Sequence, residues 1–117
     1  MPALTEPAIP DLVARIVRSV APEKVVLFGS RAGGRGGPDS DVDFLVVGGS
    51  YPTGRSRREA LSRIRRALWD VPVPVDVILV TRAEVEQWKD AVNHVIARSL
   101  REGQVVYDRT RGSVPAA

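Results

Sequence analysis

Three aspartates at alternate positions, Asp39, Asp41 and Asp43, follow a loop that carries Gly33, Gly34, Gly36 and Gly37, and a fourth, Asp76, stands alone inside the apolar run VPVDVILV. In an extended chain successive side chains leave on opposite faces, so Asp41 and Asp43 share one side while Val42, Phe44 and Val46 take the other. Two carboxylates at that spacing repel each other, and a strand does not favour the pair without a compensating cation. An ionised Asp76 between Val75 and Val77 is also costly to bury alone. It needs either an arginine beside it or a metal shared with Asp41 and Asp43, and we read the three acids as one metal site. The glycines suit a different ligand, because a loop poor in side chains lets a phosphate approach the backbone amides. A plain connecting loop, with PDSD as a turn, would use the same residue types.

The composition narrows the metal. The chain of 117 residues has no cysteine and one histidine, His94, which excludes disulfides, thiolate zinc sites and a histidine-rich centre. Oxygen ligands remain, and these suit hard cations such as Mg²⁺. A net charge of +3 favours an acidic partner only modestly. The length suits one domain, expected over residues 1–108, with 109–117 as a disordered tail. No apolar run approaches the ~18 residues of a membrane span. The opening MPALTEPAIPDL lacks the basic and apolar regions of a secretory signal, so a cytoplasmic protein without membrane attachment is expected.

The elements that must position these acids follow from hydrophobic spacing. Leu12, Val13, Ile16, Val17 and Val20 recur at helical intervals and predict an amphipathic helix over 10–20. Short β-branched runs predict strands at 24–28, 41–47 and 73–80, with a last short strand at 104–108. Residues 54–70 predict a helix with Ala60, Leu61, Ile64, Ala67 and Leu68 on one stripe and arginines around the rest. Residues 82–103 predict one or two helices, with Thr81 as N-cap and Gly103 as C-cap. The fold expected is α/β: a small mixed sheet of three to four strands with helices packed against it.

Three familiar motifs fail on these letters. An EF-hand loop starting at Asp39 would have Phe44 in place of its glycine and Ser50 in place of its final glutamate. No Gly-Lys-Ser/Thr follows the glycines, and Asp39 stands where the third glycine of a dinucleotide-binding turn belongs. What remains is a Gly-Ser pair ending one strand, Asp-x-Asp entering the next, and an isolated acid in a third.

In that combination GSRAGG (29–34), SDVDF (40–44) and VDVILV (75–80) resemble the signature of the nucleotidyltransferase superfamily that includes DNA polymerase β, in its shortest form, the minimal nucleotidyltransferase (MNT) proteins. Gly33 departs from the pattern, since members often carry a basic residue there, a role open to Arg35. The resemblance implies the nucleotidyltransferase fold and a site in which Asp41, Asp43 and Asp76 are catalytic and hold two Mg²⁺ ions. It also implies that Gly29 and Ser30 contact the phosphates of a nucleoside triphosphate, with ATP as substrate. Arg31 is a candidate phosphate ligand or a solvated side chain.

MNT proteins are commonly antitoxins of HEPN-type ribonuclease toxins, so the resemblance implies a HEPN partner and transfer of AMP to a toxin tyrosine. The alternatives are a non-catalytic antitoxin that acts by binding and a small-molecule nucleotidyltransferase, although those carry an additional helical domain. The arginines of the 54–70 helix lack interleaved aromatics, so a solvated or protein-docking face is expected in preference to nucleic-acid binding. His94 reads as structural. Trp69 and Trp88 read as caps on the core or its rim, or, if exposed, as docking anchors. Nothing around Tyr107 singles it out as a modification site.

Overall fold

Helix α1 (Ile9–Val20) turns Leu12, Val13 and Ile16 into the interior, as their spacing requires. A computed structural model describes residues 9–29, 41–49 and 54–113. After α1 the chain runs through β1 (Lys24–Phe28), β2 (Val42–Gly48), α2 (Gly54–Ala67), β3 (Val75–Thr81), α3 (Arg82–Trp88), α4 (Val95–Glu102), β4 (Gln104–Asp108) and β5 (Gly112–Ser113).

The sheet order is β3-β2-β1-β4-β5. β1 is antiparallel to β2 and β4, whereas β2 and β3 are parallel because α2 carries the chain back between them. The four expected strands are present as a mixed sheet, with β5 as a two-residue addition. Residues 109–113, expected to begin a free tail, instead make a turn and the β5 pairing, Tyr107 with Ser113 and Asp108 with Gly112. The end of the tail, residues 114–117, lies outside the described residues.

Alternation along the strands divides the core in two. Val25, Leu27, Val42, Phe44, Val46 and Leu79 pack toward α1 and α2, and Val26, Leu45, Val47 and Val80 pack toward α3 and α4. Central β2 is therefore apolar on both faces, and the half-buried Asp43 interrupts it. Arg15 ties α1 to the end of α2 through Asp70 at 2.7 Å and the Ala67 carbonyl at 3.1 Å.

The expected helical stretch 82–103 is two helices. Thr81 caps α3 in a capping box: its hydroxyl accepts from the Glu84 amide at 3.1 Å, and Glu84 Oε1 accepts from the Thr81 amide at 2.9 Å. His94 caps α4, its Nδ1 accepting from the Ile96 amide at 3.2 Å while its ring stacks on Trp88 at 4.4 Å. Its role is structural, as expected. Gly103 caps α4 at φ −92°, outside the left-handed region, so close approach and not backbone conformation selects glycine there.

Candidate active site

The turn out of β1 and the parallel pairing of β2 with β3 bring the acids together. Asp43 stands opposite Phe28 on one side and opposite Asp76 on the other. In a parallel pair without stagger, residues in register project to the same face, so the two carboxyls meet. Asp43 and Asp76 are thus paired in register across the two strands. Asp43 is half-buried, Asp76 is exposed, and Asp41 lies exposed just before β2.

Burial pushes the Asp43 carboxyl up first, and the neighbouring charges of Asp76 and Asp41 push it further in the same direction. Among the described residues, the charges acting on it are carboxylates. The arginine partner weighed for Asp76 is absent among the described residues, and Asp76 is not buried. The pair is therefore held together by the strands, and among the described residues no basic side chain is paired with it.

Gly29 closes β1 at φ +80°. A Cβ there would overlap Oδ2 of Asp43 and stand 3.3 Å from its Cγ. Glycine is required twice, by the left-handed backbone and by the carboxylate that fills the side-chain position. Ser30 and Arg31, with the glycine-rich stretch that follows, lie outside the described residues.

A groove of about 670 Å³ runs from Asp43 and Asp76 to Trp69, with Arg65 on its rim and Leu61, Val71 and Val75 among its apolar walls. Arg65 and Trp69 are site-lining residues that the reading of the acids alone misses. Their separation of one helical turn at the end of an arginine-rich helix was the available signal. Trp69 is 81% exposed and so caps no core.

The match to the nucleotidyltransferase domain model extends over residues 11–105. The chain belongs to the nucleotidyltransferase domain family. A protein of Sulfolobus solfataricus, solved by crystallography as a candidate nucleotidyltransferase, is similar to it with a TM-score of 0.57 and 25% identity, over 96% of this chain and 98% of that one. A toxin–antitoxin structure with AMP-PNP matches at a TM-score of 0.48 and 21% identity, over 81% of this chain and 69% of that one, a likeness that carries no functional argument. Comparison with curated proteins gives no match.

For this nucleotidyltransferase the acids must be judged as cation ligands. Among the described residues no three His, Cys, Asp or Glu side chains converge as a closed metal site. The Asp43–Asp76 pair nevertheless fits a hard divalent ion, because Mg²⁺ is ordinarily held by one or two carboxylates together with substrate phosphates and water. The repulsion that Asp76 and Asp41 exert on Asp43 is what such an ion would relieve. No helix among the described residues is long and apolar enough to cross a membrane.

Proposed function

We propose that this nucleotidyltransferase moves AMP from ATP to a protein hydroxyl, a tyrosine of a cognate HEPN-type ribonuclease toxin, and acts as that toxin's antitoxin. The observation that carries the catalytic part is the in-register pairing of Asp43 with Asp76 beside the glycine turn that ends β1. The toxin and the tyrosine come from the resemblance of GSRAGG, SDVDF and VDVILV to MNT proteins.

Asp41, Asp43 and Asp76 would hold two Mg²⁺ ions. When bound, the ions supply neutralisation of the leaving pyrophosphate and a lowered pKa for the attacking hydroxyl. The chain's own groups do the rest. Asp76, the exposed member of the pair, accepts the hydroxyl proton as the hydroxyl oxygen bonds to the α-phosphorus and the bond to pyrophosphate breaks. At the end of β1, Gly29, Ser30 and the following amides would receive the β and γ phosphates, with Arg31 as a further cation.

The test incubates radiolabelled ATP and Mg²⁺ with the purified protein and the product of the neighbouring gene, against an Asp41→Asn/Asp43→Asn control. Label on the partner that vanishes in the control is the expected result. A stable complex without label would overturn the enzymatic part and leave an antitoxin that acts by binding.

A further inference from the structure

Arg58, Ser62, Arg65 and Trp69 follow one another a helical turn apart along α2 and the turn that ends it, which places them in one line on the helix surface. All four are exposed. Glu59 is the only acid of α2 and is taken by Arg55 at 3.1 Å, whereas Arg58 and Arg65 have no side-chain partner among the described residues. The stripe does not end in solvent. Arg65 and Trp69 line the same groove as Asp43 and Asp76.

We propose that this stripe docks an acidic segment of the acceptor protein, with Trp69 as its apolar anchor, and that the groove leads the segment's hydroxyl-bearing side chain to Asp43 and Asp76. The inference rests on the reading of the chain as a protein-directed transferase and adds where, and by what chemistry, the acceptor is held. Charge selects the partner, because unpaired arginines along one line attract carboxylates and steer their approach. An exposed tryptophan beside Arg65 on a groove with aliphatic walls has the composition of an interface hot spot. Single-stranded nucleic acid, the other acidic candidate, is held by successive aromatic platforms. Here one aromatic stands at one end, and Leu61, Val71 and Val75 offer aliphatic walls that suit polypeptide side chains.

The experiment measures fluorescence anisotropy of two labelled probes, a random copolymer of glutamate and tyrosine and an oligouridylate. The proteins are the full chain, Arg58→Glu/Arg65→Glu, Trp69→Ala, and Arg18→Glu/Arg98→Glu as a control with the same charge change on α1 and α4. Circular dichroism confirms that each is folded. The copolymer should bind the full chain about tenfold more tightly than oligouridylate. It should lose about tenfold in affinity on Arg58→Glu/Arg65→Glu, several-fold on Trp69→Ala, and under about threefold in the control. Tighter binding of oligouridylate, or equal losses in stripe and control variants, would overturn the proposal.

Asp43→Asn separates this inference from the function it rests on. It should abolish label transfer and leave copolymer binding within about twofold of the full chain. Stripe-dependent binding without any transfer would retain the docking surface and defeat the transferase reading. Transfer to the partner that ignores Arg58→Glu/Arg65→Glu and Trp69→Ala would do the reverse.

Discussion

The Oδ2 atom of Asp43 occupies the place where a side chain at Gly29 would begin, so the end of β1 and the acid of β2 are built as one unit. The glycine's φ of +80° turns the chain out of the sheet directly under the carboxylate. The placement of the acid consequently depends on the side chain that Gly29 lacks.

Gly29→Ala should therefore fail for two reasons. Alanine is strained at this φ, and its Cβ would displace Asp43 from its pairing with Asp76. We expect a stability loss of about 1–3 kcal/mol in urea unfolding and loss of nucleotidyl transfer even at temperatures where the variant is folded. Wild-type activity in a folded Gly29→Ala protein would show that Asp43's position does not depend on this contact.

Asp43→Asn should have opposite effects on stability and on metal response. Without metal, removing one of two facing carboxylates relieves like-charge repulsion, worth roughly 0.2–1 kcal/mol for facing pairs on strands. With Mg²⁺ the wild type should gain stability, about 1.4 kcal/mol at ten times its Kd, and the variant should gain little. Thermal melts across a Mg²⁺ series read both. Equal Mg²⁺ stabilisation of the two proteins would remove Asp43 from the ligand set.

Much of this arrangement was legible in the sequence. Local rules located it: β-branched runs bounded by glycine placed β1 and β4 residue for residue, and Thr81 as N-cap marked the start of α3. Alternation correctly put Val42, Phe44 and Val46 together in the core. Register was not legible, because whether Asp43 meets Asp76 or Ile78 depends on how α2 returns the chain, and no local rule fixes that. Two helices over 82–103 were one of the readings offered, but the position of the break between α3 and α4 was hidden. His94, read as structural, caps α4 by accepting from the amide of Ile96 and is supported by the Trp88 ring, contacts that exist only once the chain has turned.

The link between α2 and α3 supplies a pH-dependent contribution. Arg57 meets Glu84 at 2.9 Å, and the same carboxylate closes the capping box on Thr81. Burial raises the Glu84 carboxyl, but the Arg57 hydrogen bond and charge together with the Thr81 amide outweigh it and hold it below 4.5. A carboxylate whose folded pKa is depressed binds fewer protons than the unfolded chain. Its contribution is complete above the unfolded value and is lost as pH falls through the folded one. Both partners are about a third exposed, so solvent screens the pair, and Glu84→Gln should cost no more than about 0.5 kcal/mol at pH 7. Glu84→Ala also opens the capping box and should cost about 1 kcal/mol. Urea melts from pH 7 to pH 3 should show the gap between wild type and Glu84→Gln closing below pH 4.5. A gap independent of pH would assign the effect to packing.

Gly103 tests whether close approach alone can select a glycine at a helix end. Its φ of −92° is open to any residue. A Cβ there, however, would stand 2.5 Å from the Ser99 carbonyl oxygen, 2.7 Å from that of Leu27 and 2.7 Å from Val26 Cγ1. Two of the three are backbone atoms of α4 and β1, so relief requires the helix to lift from the strand that leads to Gly29. Overpacking of this kind costs about 1–3 kcal/mol, and Gly103→Ala should show it as a lower urea midpoint. Gly103→Asn is the informative companion. At a left-handed cap asparagine is the best tolerated replacement for glycine, whereas here it should be no better than alanine, because the obstacle is the Cβ that both share. A clear recovery of stability with asparagine would mean that the helix end is left-handed in solution and that the contact with Leu27 gives way.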